Sequence, residues 1–284
     1  MAAALKLLKP DNPIEDWTVV VPRRGKQRRS ILPKIKNLGQ QQQQQQSQPQ
    51  PWTPMDFDTD PKRESKLMQK ICMCIENLKK TEFYRTILNQ IQDPQIIGHF
   101  SRVLGSESKM QMVIYGIGSI ESYESPRLQL SLAILIKRKF DWIGDIEIFD
   151  PVLSTTEARV LEALGCQVLS VDEQGRRQAL KPIMFFMPHC EAVLYDNLLQ
   201  ANWKAGFLTK MVVFGNSFER YEQHVLDFKH SVVGDSVKHV LGSRRFITEV
   251  GIQTVSDDFF RAFHDSSWHF FNIDEKMELQ TIQL

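Results

Sequence analysis

The sequence predicts an α/β fold: a Rossmann-like three-layer sandwich with a mainly parallel sheet, preceded by N-terminal helices and a disordered basic arm. Two observations carry this reading. From residue 106 onward, unbroken apolar runs such as "MQMVIYGIG" and "PIMFFMPH" alternate with stretches of helical periodicity. Strands buried on both faces read as continuous apolar runs, and parallel neighbours need a crossover between them. Residues 1–60, by contrast, have a composition of their own and few side chains to bury.

Taken in order, the arm packs Arg23, Arg24, Lys26, Arg28, Arg29, Lys34 and Lys36 into one segment, followed by the glutamine run Gln40 to Gln46. Such a stretch cannot offset the entropy of ordering its backbone. Within it, "DWTVVV" alternates as a short strand or a linear peptide would. Residues 61–105 read as helices, with Leu67, Ile71, Cys74, Ile75 and Leu78 at three- and four-residue spacing until Asp93-Pro94 breaks the rhythm.

Residues 106–273 form the sandwich. "KMQMVIYGIG" is a strand running into a glycine turn, and "SPRLQLSLAILIKRKF" is its crossover helix. "GDIEIFDP" is a strand, "TEARVLEALG" a helix stopped at Gly165, and "CQVLS" and "KPIMFFMPH" are strands. "EAVLYDNLLQANW" is a helix, "TKMVVFGNS" a strand, and "SFERYEQHVLDF" the last crossover. Beyond it, "RRFITEVGIQT" reads as a closing strand, "DDFFRAFHDSSWHFF" as an amphipathic helix or aromatic plug, and residues 274–284 as a tail.

With 284 residues, 42% apolar and a net charge of +1, the chain is long enough for one sizeable core. That charge argues against a surface built throughout for nucleic acid. Cys72, Cys74, Cys166 and Cys190 have neither zinc-ribbon nor secreted-disulfide spacing, so a reducing compartment is expected. No secretory signal and no membrane span are expected, and the histidines lack metal-ligand spacing.

Chemistry concentrates where strands are expected to end. Gly116 and Gly118 let the chain turn sharply into a helix whose N–H groups favour an anion. The third position of the dinucleotide fingerprint holds Glu121, whose carboxylate repels a pyrophosphate, and 34 residues separate Gly116 from Asp150 instead of about 20. An adenosyl cofactor without phosphate is more compatible: Asp150 would then hold its ribose, as in a methyltransferase-like enzyme. The alternative is that the glycines only supply positive φ and close packing. Ser119, His189 and Asn216 join the same expected rim. Cys190 reads as core, and Ser217 as a helix cap. No cofactor is assigned. The cluster Arg23, Arg24, Lys26, Arg28 and Arg29 reads as an element for a nuclear-import receptor, ahead of direct nucleic-acid binding, because no folded reader accompanies it.

The segments "DWTVVVPRRGKQRR", "VIYGIGSIESYESPRLQLSLAIL", "EIFDPVLSTTEARVLEALGC", "FFMPHCEAVLYDNLLQANW" and "VVFGNSFERY" resemble the sensitivity-to-red-light-reduced family. The resemblance implies a plant regulator in red-light (phytochrome) signalling and circadian clock input, with protein partners there and a nuclear and cytoplasmic location. It carries over no catalytic residue and no cofactor.

Overall fold

A computed structural model describes residues 50–54, 56, 58–227, 236–254, 257–274 and 279. These fall in the compact unit Gln44–Leu284. The basic cluster Arg23 to Arg29 and the glutamine run lie outside the described residues.

Three helices come first: α1 (Pro61–Lys79), α2 (Glu82–Gln92) and α3 (Pro94–Leu104). Asp60 caps α1 by accepting the Lys62 N–H, and proline takes the first helical position, where its missing donor costs nothing. Asp93-Pro94 ends α2 and opens α3 in the same way. Their apolar stripes, including Leu67, Ile71, Ile87, Ile91 and Phe100, belong to the same core as one face of the sheet. The helical segment is therefore continuous with the sandwich core.

The main sheet has seven strands in the order β4-β3-β2-β6-β7-β9-β8. In chain order these are β2 (Met110–Tyr115), β3 (Ile143–Phe149), β4 (Cys166–Val168), β6 (Ile183–Met187), β7 (Met211–Asn216), β8 (Ile247–Gly251) and β9 (Ser266–Phe271). The pairs β4-β3, β3-β2, β2-β6 and β6-β7 are parallel, whereas β9 pairs antiparallel with both β7 and β8. Alternate residues of β2 divide between the faces. Met112 and Ile114 join α4 (Glu124–Lys139) and α5 (Thr155–Ala163), together with α1 and α10 (Asp257–Phe263). Val113 and Tyr115 join the opposite layer of α6 (Ala192–Ala201), α7 (Ala205–Leu208), α8 (Phe218–Asp227) and α9 (Lys238–Ser243). The α/β three-layer fold with a mainly parallel sheet is thus the one the sequence predicts.

Two regions differ from the sequence reading. "SSWHFF" is not part of a helix or plug: the helix ends at Phe263, Asp265 takes a left-handed conformation, and Ser266–Phe271 becomes β9, buried at every position. An inserted antiparallel strand next to β7 has both faces covered, so its apolar residues run together without a two-residue alternation. The stretch expected to lack structure up to residue 60 is held against the domain from Gln50. There the short strand β1 (Gln50–Pro51) pairs antiparallel with β5 (Val171–Asp172). Burial of the Trp52 ring against Phe149, edge to face with centroids 5.3 Å apart, supplies the driving force.

Candidate functional site

The sheet order reverses between β2 and β6, and in open α/β sheets ligands bind outside the strand C-termini at such a point. Three corners converge there: the glycine turn after β2, Asp150 after β3, and Pro188 to Cys190 after β6. Gly116 N–H donates to Phe149 O at 3.2 Å, which ties the first two corners together at the backbone.

Gly116 and Gly118 have φ of +65° and +76°. A Cβ on Gly116 would lie 2.6 Å from Cys190 Sγ, so this glycine is demanded by packing as well as by conformation. Gly118 N–H donates to Asp150 Oδ2 at 2.7 Å, and Val152 N–H donates to Oδ1 at 2.9 Å. Asp150 is only 6% exposed, and burial raises its pKa. Its carboxylate thus braces the glycine turn from within the rim.

Glu121 has a partner that its sequence position did not reveal. Arg63 of α1 grips the carboxylate in a fork, Nε to Oε1 at 2.7 Å and Nη2 to Oε2 at 2.6 Å, while Nη1 reaches Asp56 at 3.2 Å. Hydrogen bonding to this guanidinium holds Glu121 below the ordinary carboxylate range. The side chain therefore faces α1 rather than the rim. Ser119 Oγ and Glu121 N–H both donate to Glu157 Oε1, at 2.7 and 2.9 Å. Glu157 also completes a capping box with Ser154 at the start of α5. Sequence reasoning missed Glu157 as a member of this corner, although the Ser-x-x-Glu box itself was legible.

At the β6 corner, Cys190 Sγ donates to Tyr115 O at 3.1 Å, and burial pushes its thiol well above the ordinary range. A thiolate nucleophile is thereby disfavoured. His189 does not cap α6, whose first turn follows Glu191. Its own N–H donates to Asn216 Oδ1 at 2.7 Å, and its Nε2 donates to His264 O at 3.1 Å. The two histidine rings stand 4.3 Å apart. Burial first, then the neighbouring His264, lowers the His189 pKa to about 4. His189 also adopts a φ of +59°, a strained choice for a non-glycine residue. Asn216 bridges the corner through Nδ2, donating to Cys190 O and Tyr221 Oη at 3.1 and 2.9 Å. Ser217 Oγ accepts the Arg220 N–H and caps α8.

A strap crosses the β3 side of the rim. Trp52 Nε1 donates to Pro151 O at 3.4 Å, Trp52 N–H to Ser170 O at 2.8 Å, and Thr155 Oγ1 to Asp56 O. Beside it, Arg177 pairs with Glu147 and with Glu173, and Tyr115 OH donates to Glu173. Six of the seven expected rim residues, Gly116, Gly118, Ser119, Asp150, His189 and Asn216, lie around the strand ends, whereas the Glu121 side chain turns to Arg63 of α1. Their polar groups are mutually engaged. Among the described residues no cluster of His, Cys, Asp and Glu has metal-binding geometry, and no helix is long and apolar enough to cross a membrane.

Fold and rim first define a class: a Rossmann-like α/β protein whose strand ends are knit together by its own side chains. The SRR1 domain profile matches residues 86–270, and the chain belongs to the SRR1 family. It is 52% identical over 93% of its length to Protein SENSITIVITY TO RED LIGHT REDUCED 1 of Arabidopsis thaliana, covering 94% of that protein. An SRR1-like protein of Mus musculus is 28% identical over 75% of this chain and 89% of its own. Among solved structures, a putative O-methyltransferase from Klebsiella pneumoniae aligns with 12% identity and a TM-score of 0.37, over 76% of this chain and 92% of that one. The plantazolicin methyltransferase BpumL with SAH aligns with 11% identity and a TM-score of 0.28, over 75% and 98%. Scores this low bear on neither reaction nor ligand.

Proposed function

We propose that this chain is a regulator in red-light (phytochrome) signalling with input to the circadian clock, acting by binding protein partners. Its 52% identity with the Arabidopsis protein named for sensitivity to red light supports the pathway. The observation that supports binding over catalysis is the engagement of the rim. Asp150 is occupied by two backbone N–H groups, Glu121 by Arg63, and Cys190 is sealed against Gly116. Among the described residues no general base faces an activated nucleophile there. Loss of this chain from its source organism should reduce the red-light response and shift clock period. A normal response and period in a null line would overturn the proposal.

A second reading is an enzyme of methyltransferase type that holds an adenosyl cofactor at Gly116, Gly118 and Asp150. In its favour, the glycine turn and the acid meet at 2.7 Å on adjacent strands. Thermal melting with adenosyl-methionine decides between the two. Ligand at a hundred times its dissociation constant stabilises the fold by about 2.7 kcal/mol. A shift that Gly118→Val abolishes would favour the enzyme, and no shift would favour the binding protein.

For location, the proposal is nucleus and cytoplasm, with Arg23, Arg24, Lys26, Arg28 and Arg29 read by an import receptor. A fusion lacking residues 1–40 should be lost from nuclei. Its retention there would refute this role.

A further inference from the structure

The sheet ends at β8, whose strand neighbour among the described residues is β9. Two flanking bonds fix the phase of their ladder: Asn272 N–H donates to Phe246 O at 2.8 Å, and Ile252 N–H donates to Ser266 O at 3.0 Å. Antiparallel partners alternate between bonded and non-bonded pairs, so Thr248 and Val250 also turn their main-chain groups to β9. The main-chain groups of Glu249 and Gly251, and the Ile247 carbonyl, point the other way. One of them is met: Gln90 Nε2 of α2 donates to Gly251 O at 2.9 Å. Among the described residues nothing meets the Ile247 C=O, the Glu249 N–H and C=O, or the Gly251 N–H.

Burial agrees with an open side. Strand β9 is buried at every position, whereas Ile247 to Val250 are half-buried and Gly251 is exposed. Proteins blunt such an edge with lysine, proline, a bulge or a very short strand. The opposite edge, β4, has three residues. Strand β8 has five, Ile-Thr-Glu-Val-Gly, in unbroken register with β9. Its single charge is tied inward, because the Glu249 carboxylate accepts from Arg244 Nη1 at 2.7 Å and from the Glu219 N–H at 3.0 Å. Val250 packs against the core on one face of the sheet and Ile247 against the core on the other, so a half-buried aliphatic side chain flanks the edge on each face.

We propose that β8 is a docking edge for an extended, β-branched segment of a partner protein, which adds to the sheet as a further strand. The open row runs carbonyl, N–H, carbonyl, N–H, and another extended main chain supplies its complement. A helix does not, since its own main-chain groups are bonded to one another. The β-branched side chains of the segment cover Ile247 on one face and Val250 on the other. This inference rests on the reading of the chain as a protein-binding regulator and gives it a surface apart from the strand-end rim.

Amide exchange of the full chain, followed residue by residue by NMR, tests it with the peptide acetyl-Thr-Val-Thr-Val-Thr-amide. In the dilute chain alone the Glu249 and Gly251 amides should exchange fast and those of Thr248 and Val250 slowly. Peptide at ten times its dissociation constant should slow Glu249 and Gly251 about tenfold, and an analogue N-methylated at every residue should not. Gly251→Pro removes an outward donor and leaves the ladder to β9, whose Thr248 and Val250 amides report that the fold is kept. It should raise the peptide concentration that half-protects Glu249 by about tenfold, while Gly251→Ala leaves it unchanged. Slow exchange of Glu249 and Gly251 in the dilute chain alone would show that the chain covers its own edge and overturn the proposal. Protection that grows with protein concentration would assign the edge to a second copy instead. No slowing at any soluble peptide concentration, equal slowing by the N-methylated analogue, or an unchanged midpoint in the proline variant would also overturn it. Any of these failures leaves the light response of the null line as a separate test of the regulator reading, and a normal response there would sink that reading without altering protection at β8.

Discussion

Gly116 shows how a single residue can look like a ligand contact and act as packing. Its positive φ was readable from the turn, but the Cys190 sulfur that occupies the space of a side chain comes from a corner 74 residues away. Gly116→Ala should cost about 2–4 kcal/mol in denaturant unfolding, from the left-handed conformation plus overlap with sulfur. Adding Cys190→Ala should recover about 1–2 kcal/mol of that in a double-mutant cycle. His189 and His269 make a pH prediction. Burial lowers both to about 4, against 6.5 for an ordinary histidine. Between these values the unfolded chain binds more protons than the folded one, so stability rises with pH and is lost as pH falls from 6.5 toward 4. Each histidine contributes up to about 3 kcal/mol to this loss. His189→Asn, which tolerates the left-handed backbone, should flatten the pH dependence of unfolding measured at a series of pH values.

Among the elements, the segment between β5 and β6 has no helix, yet it covers β2 and β3. Arg177 is its anchor, paired with Glu147 of β3 and Glu173. Arg177→Met should destabilise the fold by about 3–5 kcal/mol, because two half-buried carboxylates lose their counter-charge, and the loss should shrink in Arg177→Met/Glu147→Gln. The strap over the rim makes a separate prediction. Trp52→Ala removes the ring from Phe149 and the hydrogen bond to Pro151. Limited proteolysis should then cut within residues 50–60 faster, while β2 and β6 keep their protection in amide exchange. Helix ends were legible where a proline or glycine acts within one turn, as at Asp93-Pro94 and Gly165, whereas the caps Asp60 and Ser154 went unread although they too act locally. Strand β9 was not legible. Its residues carry neither period, and only its insertion between β7 and β8 gives them a strand's partners.

For the molecule as a whole, the C-terminal end of the sheet is closed by its own side chains. That rim is knit by carboxylates to backbone N–H groups and to Arg63. A net charge of +1 conceals these pairings, since only the topology brings each charge to its partner. The proposed red-light role rests on kinship with a named relative, since the rim by itself identifies no pathway.

The amino-acid order alone determined the α/β class, the helix starts, the parallel core and the turn that needs glycine, because periodicity, capping and φ preferences are local. Tertiary structure alone decided that Asp150 and Glu121 are spent on Gly118 and Arg63, and that Cys190 fills the space above Gly116. Those are contacts between residues far apart in the chain. They depend on which strands become neighbours, a choice made by the burial of whole faces rather than by any short stretch of sequence.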